Sequence, residues 1–136
     1  MFSLKKIING RTMVGEVHMM PTVGGETYKV GEALKVTSGK VTKCSGDALV
    51  EFVSLADYEA PSANSDELPC FVVTQDMVWE VATSAFSAST QVRGAAVTID
   101  TTGTKVTATA ASDGLGAKVF ETRGAKAAGD KIWVTL

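Results

Sequence analysis

Two nearly identical pentapeptides begin the two halves of this 136-residue chain: residues 13–17 read MVGEV and residues 77–81 read MVWEV. Four more matches follow in the same order, 63 to 68 residues apart. They are VGEALKV (30–36) with RGAAVTI (93–99), GKVT (39–42) with GTKVT (103–107), VEFVS (50–54) with KVFET (118–122), and DELPCFVVT (66–74) with GDKIWVT (129–135). A repeat of this kind indicates a structural unit that is duplicated in tandem.

The repeat predicts the domain organisation. Residues 1–12 precede it as an N-terminal arm, residues 13–74 form the first module and residues 75–136 form the second. Modules of about 60 residues bury too little surface to be stable alone. We therefore expect the two modules to pack together as one compact unit.

The residues inside each copy favour β structure. Valine occurs 17 times and threonine 16 times, and both β-branched side chains suit a pleated sheet. In each copy a glycine, Gly31 or Gly94, precedes a strand with period-two alternation, and a glycine-containing turn then returns the chain as a hairpin. We expect a mainly β fold with little helix, in which about five short strands per copy close into a small barrel or a sandwich.

The middle residue distinguishes the two pentapeptides. If the copies superimpose along MVGEV and MVWEV, Gly15 and Trp79 occupy equivalent sites. A glycine in a strand can mark the close approach of another backbone. We predict that the arm packs over Gly15. At the equivalent position in the second copy, the indole of Trp79 itself fills that space.

The composition excludes several classes of partner. The formal net charge of -2, from 13 basic and 15 acidic residues, provides no electrostatic case for nucleic acid or an anionic membrane. No stretch approaches the roughly 20 apolar residues of a membrane span, and the first residues lack the apolar segment of a signal peptide. Cys44 and Cys70 stand outside any CxxC spacing, so we expect reduced, partly buried thiols in a protein made in a cytoplasm.

No catalytic constellation or cofactor motif is found in the sequence. His18 is the only histidine, and no GxSxG, Walker A, GxGxxG, HExxH or EF-hand pattern is present. The acidic residues Asp57, Glu59, Asp66 and Glu67 match no standard calcium loop, so we interpret them as solvated. Most aromatic residues lack neighbouring Arg or Lys pairs, which favours core packing over nucleic-acid stacking. We expect a non-enzymatic protein without cofactor or metal.

Binding to a partner through the protein surface then remains as the mode of action, and two segments are candidates for the binding site. The basic arm can form a hairpin through Asn9 and Gly10 that pairs residues 4–8 with residues 11–17, or it can add a strand to a neighbouring subunit or partner. Residues 54–69, SLADYEAPSANSDELP, form the longest turn-rich stretch, and such loops commonly bind on β scaffolds. The candidate partner-binding residues are Phe2, Leu4, Lys5, Lys6 and Arg11 in the arm, and Asp57, Tyr58, Glu59, Asp66 and Glu67 in the loop.

Three segments together carry a resemblance to a known class: YKVGEALKVTSGKVTKCSGD at 28–47, VEFVSLADYEAP at 50–61 and AAGDKIWVTL at 127–136. In this small Val/Thr/Gly-rich chain they resemble the small head decoration, or cement, proteins of tailed bacteriophages. The resemblance implies a mostly β protein without enzymatic activity, made in the host bacterial cytoplasm. It also implies binding to the major capsid protein on the outer face of the virion, as a monomer or a homo-oligomer such as a trimer.

Two alternatives stay open. A small β-barrel that binds a small molecule or glycan would use Trp79, Trp133 and Tyr58 as stacking platforms on one exposed face. Another phage structural component, of the tail or connector, would instead assemble into rings or tubes.

Overall fold

The computed structural model describes residues 1–8, 16–62 and 67–136. Within these ranges the chain forms strands and no helix, which confirms the predicted mainly β fold. The strands are β1 (Ser3–Ile7), β2 (Val17–Pro21), β3 (Thr27–Tyr28), β4 (Ala33–Thr37), β5 (Lys40–Lys43), β6 (Phe52–Ser54), β7 (Tyr58–Glu59), β8 (Glu67–Val72), β9 (Met77–Thr83), β10 (Ala96–Ile99), β11 (Lys105–Ala110), β12 (Ala117–Glu121) and β13 (Lys131–Thr135).

The second module is a closed five-stranded barrel. Its strands follow the order β9, β11, β10, β12, β13, and β13 pairs with β9 to close the cylinder. Neighbouring strands are antiparallel except β9 and β11, which run parallel where Ala82 and Thr83 meet Lys105 and Val106. Full closure leaves these five strands without a continuous free edge.

The first module repeats this topology strand for strand. Its sheet has the order β2, β8, β6, β4, β5, and a parallel bridge from Thr22 to Val41 joins β5 back to β2. The bridge corresponds to the parallel pair of Thr83 with Val106 in the second barrel. Thr22 and Thr83 are both fully buried. The duplicated β module that the repeat predicts is therefore present as two barrels of one topology.

Turn glycines start the second strand of both barrels in the same way. Gly31 and Gly94 have φ angles of 72° and 88°, which favour glycine because other residues crowd their Cβ there. Their N–H groups donate to the carbonyl oxygens of Ser54, at 2.7 Å, and Val119, at 2.8 Å. The alternation predicted after each glycine is confirmed by the side chains that pack inward: Leu34 and Val36 in β4, and Val97 and Ile99 in β10.

Strand pairing shows that the two opening pentapeptides are not structurally equivalent: the equivalent residues are shifted by three positions from the match of the letters. Cys70 in β8 and Val134 in β13 are equivalent by position and burial, and their partners are His18 and Trp79, respectively. The counterpart of Trp79 is therefore His18, and its predicted equivalence with Gly15 is wrong. Gly15 lies outside the described residues. Short Val and Glu matches recur readily in strands, whereas register follows from distant hydrogen-bonding partners.

The arm belongs to the sheet of the second barrel. β1 runs antiparallel to β9, with Leu4 opposite Trp79. The predicted hairpin turn falls in residues 9–15, outside the described residues, and Val17 pairs with Phe71 of β8. Trp79 is 1% exposed, and its indole packs in the core that it shares with Phe2 and Leu4 of the arm.

One apolar core joins the arm and both modules. Phe2, Ala33 and Val53 pack in the same cluster as Val81 and Ile132 of the second barrel. Backbone bonds also cross the junction: Ala33 N–H donates to Gly103 O at 2.7 Å, and Gly46 and Ile99 exchange two bonds of 2.8 and 2.9 Å. A smaller core fills the first barrel with Tyr28, Leu34, Val41, Ala60, Leu68 and Cys70.

Candidate interaction surfaces

The apolar arm residues have an intramolecular role. Phe2 is 3% exposed, and its N–H donates to Gly31 O at 2.8 Å. Leu4 packs against the shared core opposite Trp79. Phe2 and Leu4 therefore stabilise the fold rather than offering a surface to a partner. Arg11, the remaining basic candidate of the arm, lies outside the described residues.

The two arm lysines contact the outer face of the second barrel. Lys6 Nζ lies 4.7 Å from the ring centre of Phe120 and 5.3 Å from that of Trp133. Arg93 covers Phe120 at 5.4 Å, and Arg123 covers Trp133 at 4.5 Å. Cations held over aromatic faces in this way are stabilised by the ring quadrupole. We call these five residues the cation–aromatic cluster.

This cluster was not predicted from the sequence. Phe120 and Trp133 are half-buried on the outer side of their strands, outside the core that was expected to hold the aromatic residues. The cations over them come from β1 and from two loops, so no Arg or Lys pair adjoins either ring in sequence. The one available signal was alternation, since Val119 and Val134 point inward and their neighbours must point outward.

Glu80 connects the arm to the edge of this cluster. Its Oε1 accepts from Lys5 Nζ and Lys131 Nζ, both at 3.3 Å, and its Oε2 accepts from Trp133 Nε1 at 3.3 Å. Partial burial opposes ionisation and is the largest single influence, but the three hydrogen bonds together lower the pKa of Glu80 below its usual value. Lys5 is thus engaged within the chain.

Residues 57–59 of the turn-rich loop contact the first module. Tyr58 and Glu59 form β7, which pairs with β3, and the Tyr58 ring stacks on Tyr28 with centres 6.5 Å apart. Asp57 Oδ1 accepts from Val30 N–H at 2.8 Å. The side chains of Asp57, Glu59 and Glu67 are exposed, whereas Asp66 lies outside the described residues. The loop therefore presents acidic side chains on an ordered support.

The outer face of β2 and β8, which we call the β2 face, carries exposed apolar residues. Val17 is 47% exposed and Met19 is 51% exposed. Glu67 stands at the end of the same ladder, opposite Pro21. On the other side of β2, the Nε2 of His18 lies 2.6 Å from Glu16 Oε1. This face combines an apolar centre with a charged residue, Glu67, at one end.

A second apolar surface lies at the junction of the modules. Two grooves of about 360 and 390 Å³ meet there, and both are lined by Leu49, Gln75 and Leu136. Leu49 is 53% exposed and Leu115, at the rim, is 42% exposed. Both grooves are partly open to the surface.

The groups capable of chemistry are dispersed or buried. Burial raises the pKa of the Cys44 thiol to about 11 and that of Cys70 to about 12, so both stay protonated at neutral pH. Among residues 1–8, 16–62 and 67–136, no group of three or more His, Cys, Asp or Glu side chains is placed to hold a metal ion. No helix in the same ranges is long and apolar enough to cross a membrane.

Glu32 is a buried carboxyl near the module junction. Its side chain is 1% exposed, lies 3.3 Å from Lys43 Nζ and accepts from Lys29 N–H at 2.8 Å. Burial raises the pKa of Glu32, and the bond from Lys29 and the charge of Lys43 offset only part of that effect. The ionised form is therefore less favourable in the folded protein than in the unfolded chain.

This shift predicts a pH dependence of stability. A group with a raised folded pKa contributes stability that is complete below its unfolded pKa, near 4.5, and is lost as pH rises through the folded value. We expect Glu32→Gln to flatten the fall in unfolding free energy above pH 4.5, since glutamine does not titrate. Urea denaturation at several pH values between 4.5 and 7 measures this. An unchanged slope in the variant would contradict the assignment.

The fold and its surfaces define a class: an all-β protein of two five-stranded barrels that share one topology and are joined by an apolar core. No model of a known protein family matches the chain, and no curated protein matches it. The proposed function therefore depends on the surfaces described above and on the resemblance noted in the sequence.

Proposed function

We propose that this protein is a non-enzymatic structural protein that binds the outer surface of a bacteriophage capsid and stabilises the shell. The observation that carries the proposal is the continuous core, which fixes the arm and both barrels as one body with apolar and acidic side chains on its surface. A body whose shape is set before binding loses little conformational entropy on attachment. Repeated attachment to a symmetric shell multiplies weak contacts into strong retention.

The β2 face is the contact surface in this proposal. An apolar centre, Val17 and Met19, with the charged Glu67 at its end follows the usual anatomy of a protein interface, in which a water-excluding centre has a polar rim. The arm takes no direct part, because its apolar residues are in the core.

The glycan-binding alternative lacks its expected platform. Trp79 is buried, Trp133 lies under Arg123 and Lys6, and Tyr58 stacks on Tyr28 at the first barrel. The three side chains therefore share no exposed face of the kind that stacks on a sugar ring. This geometry favours the shell-binding proposal.

Co-sedimentation with assembled shells of the phage whose genome carries the gene tests the proposal. We expect saturable binding of the native chain at a fixed ratio to the capsid protein, and shells that withstand heating better when it is bound. Glu67→Lys should weaken binding about tenfold, since it reverses a rim charge, equivalent to about 1.4 kcal/mol.

Asp113→Lys is the matched control, because it makes the same charge change on an exposed residue of the second barrel. Its affinity for shells should stay within about twofold of native, as expected for charges distant from a contact. Absence of the native chain from the shell pellet at every molar ratio would refute the function. Equal losses from both variants would refute the assignment to the β2 face.

A further inference from the structure

The two barrels differ in how one sheet edge is filled. In the second barrel, the edge of β9 that faces β11 takes up two strands in succession: β11 pairs at Ala82 and Thr83, and β1 pairs farther back. There Val78 is opposite Lys6 and Glu80 is opposite Ser3. The arm therefore occupies a strand-sized position that β11 leaves open.

The first barrel has the same position on β2. The 61-residue offset between His18 and Trp79 makes Val17 and Met19 the counterparts of Val78 and Glu80. In the parts of the chain that the structure describes, the pairing on this edge is the single bridge at Thr22, and no strand pairs with it from Val17 to Met20.

The free backbone groups can be identified from the ladder. Val72 N–H donates to Glu16 O at 2.8 Å, and alternation along an antiparallel pair turns His18 in the same direction, toward β8. Val17 and Met19 therefore direct their N–H and C=O groups to the open edge. Pro21 ends this row, because proline has no N–H to donate.

We propose that this edge pairs with the same edge of a second copy to form an antiparallel two-stranded contact. The two-fold axis of this contact passes between the two His18 residues. Val17 of each copy then exchanges two hydrogen bonds with Met19 of the other, which uses all four N–H and all four C=O groups left open. The inference uses the same strand as the proposed shell contact but does not rest on it, since it follows from the backbone edge, and it gives a dimer rather than a trimer.

Self-complementarity favours a second copy as the occupant. On the outer face the register places Val17 beside Met19 of the other copy, so the most exposed apolar side chains of the strand contact one another laterally. On the opposite face the two His18 rings meet at the axis, each beside its own Glu16 carboxylate. A contact of one short strand per copy buries little area, so the dimer is weak and depends on concentration.

Sedimentation over a range of concentrations tests the proposal. We expect the mass to rise from 14.2 kDa toward twice that value as concentration increases. Met19→Pro removes two of the four hydrogen bonds without touching the β8 ladder and should weaken the dimer at least about tenfold. Met19→Lys, which keeps the backbone donor, should weaken it similarly, because it places a charge in the apolar contact. Circular dichroism confirms that each variant is folded.

Leu115→Lys is the matched control, because it makes the same change at an exposed leucine of the second barrel and should leave dimerisation within about twofold. His18→Cys should form an intermolecular disulfide on oxidation, since residues in a non-hydrogen-bonded pair lie about 4.5 Å apart. Val17→Cys should not form one; both variants also carry Cys70→Ala, because Cys70 is opposite His18 in the β2–β8 ladder and would otherwise capture the new thiol.

Three results would overturn the proposal. The first is a mass of 14.2 kDa at every concentration. The second is a dimer that Met19→Pro and Met19→Lys leave unchanged. The third is a monomer whose binding to shells is lost in Met19→Pro but kept in Met19→Lys, which would assign the edge to a strand of the shell protein instead.

Discussion

Phe2→Ala is expected to lower the free energy of unfolding by about 3–5 kcal/mol, the range for removing a buried phenylalanine side chain. Phe2 is 3% exposed and packs in the core that joins the two barrels. Its loss creates a cavity at that junction and loosens the start of β1. Urea denaturation followed by tryptophan fluorescence measures the change, because Trp79 packs in the same core as Phe2.

Ile8→Ala is the control for this prediction. Ile8 follows β1 and is 51% exposed, so its truncation should change stability by no more than about 0.5 kcal/mol. A Phe2→Ala variant as stable as Ile8→Ala would contradict the structural role of the arm. The expected result also bears on function, since a deletion of the arm that abolished shell binding would report unfolding rather than a lost contact.

Gly31→Ala is expected to lower stability by about 2–5 kcal/mol, from two separate causes. At φ of 72°, a Cβ costs about 1–2 kcal/mol in any surroundings. In addition, that Cβ would lie 2.8 Å from Phe2 O and would overlap the Met1 side chain. Because Phe2 O belongs to the backbone that leads into β1, relief requires the arm to shift, at a further cost of about 1–3 kcal/mol.

Gly94→Ala separates the two causes. Gly94 holds the equivalent place in the second barrel at φ of 88°, yet a Cβ there meets nothing within 4 Å. Its substitution should cost only the conformational part, about 1–2 kcal/mol. The difference between the two variants in chemical denaturation therefore measures how tightly the arm is held. Equal losses would show that the arm yields without cost.

Local features of the sequence account for much of the fold. The alternation after Gly31 and Gly94 predicted which side chains point inward, and the order of the five matches predicted two modules of one topology. The register of the first strands was not predictable in this way. MVGEV and MVWEV match as letters at an offset of 64 residues, whereas pairing with β8 and β13 makes His18 and Trp79 equivalent, at an offset of 61.

The candidate surfaces were less predictable than the fold. The sequence identified the acidic loop, and Asp57, Glu59 and Glu67 are exposed there. It also suggested the arm, where charge and position alone could not reveal that Phe2 enters the core. Residues that are distant in the chain form the cation–aromatic cluster and determine which edge of β2 is left unpaired in the described residues. No local sequence pattern predicts either feature.

The sequence by itself determined the β class, the duplication and the faces of the main strands, because alternation, β-branching and turn glycines act over a few residues. Only the tertiary structure decided barrel closure, strand register and the position of the arm. These depend on hydrogen bonds and packing between segments that are distant in the chain, such as β13 with β9 and β1 with β9. The same nonlocal pairing filled one sheet edge with the chain's own arm, whereas at its counterpart on β2 no strand of the described residues pairs from Val17 to Met20.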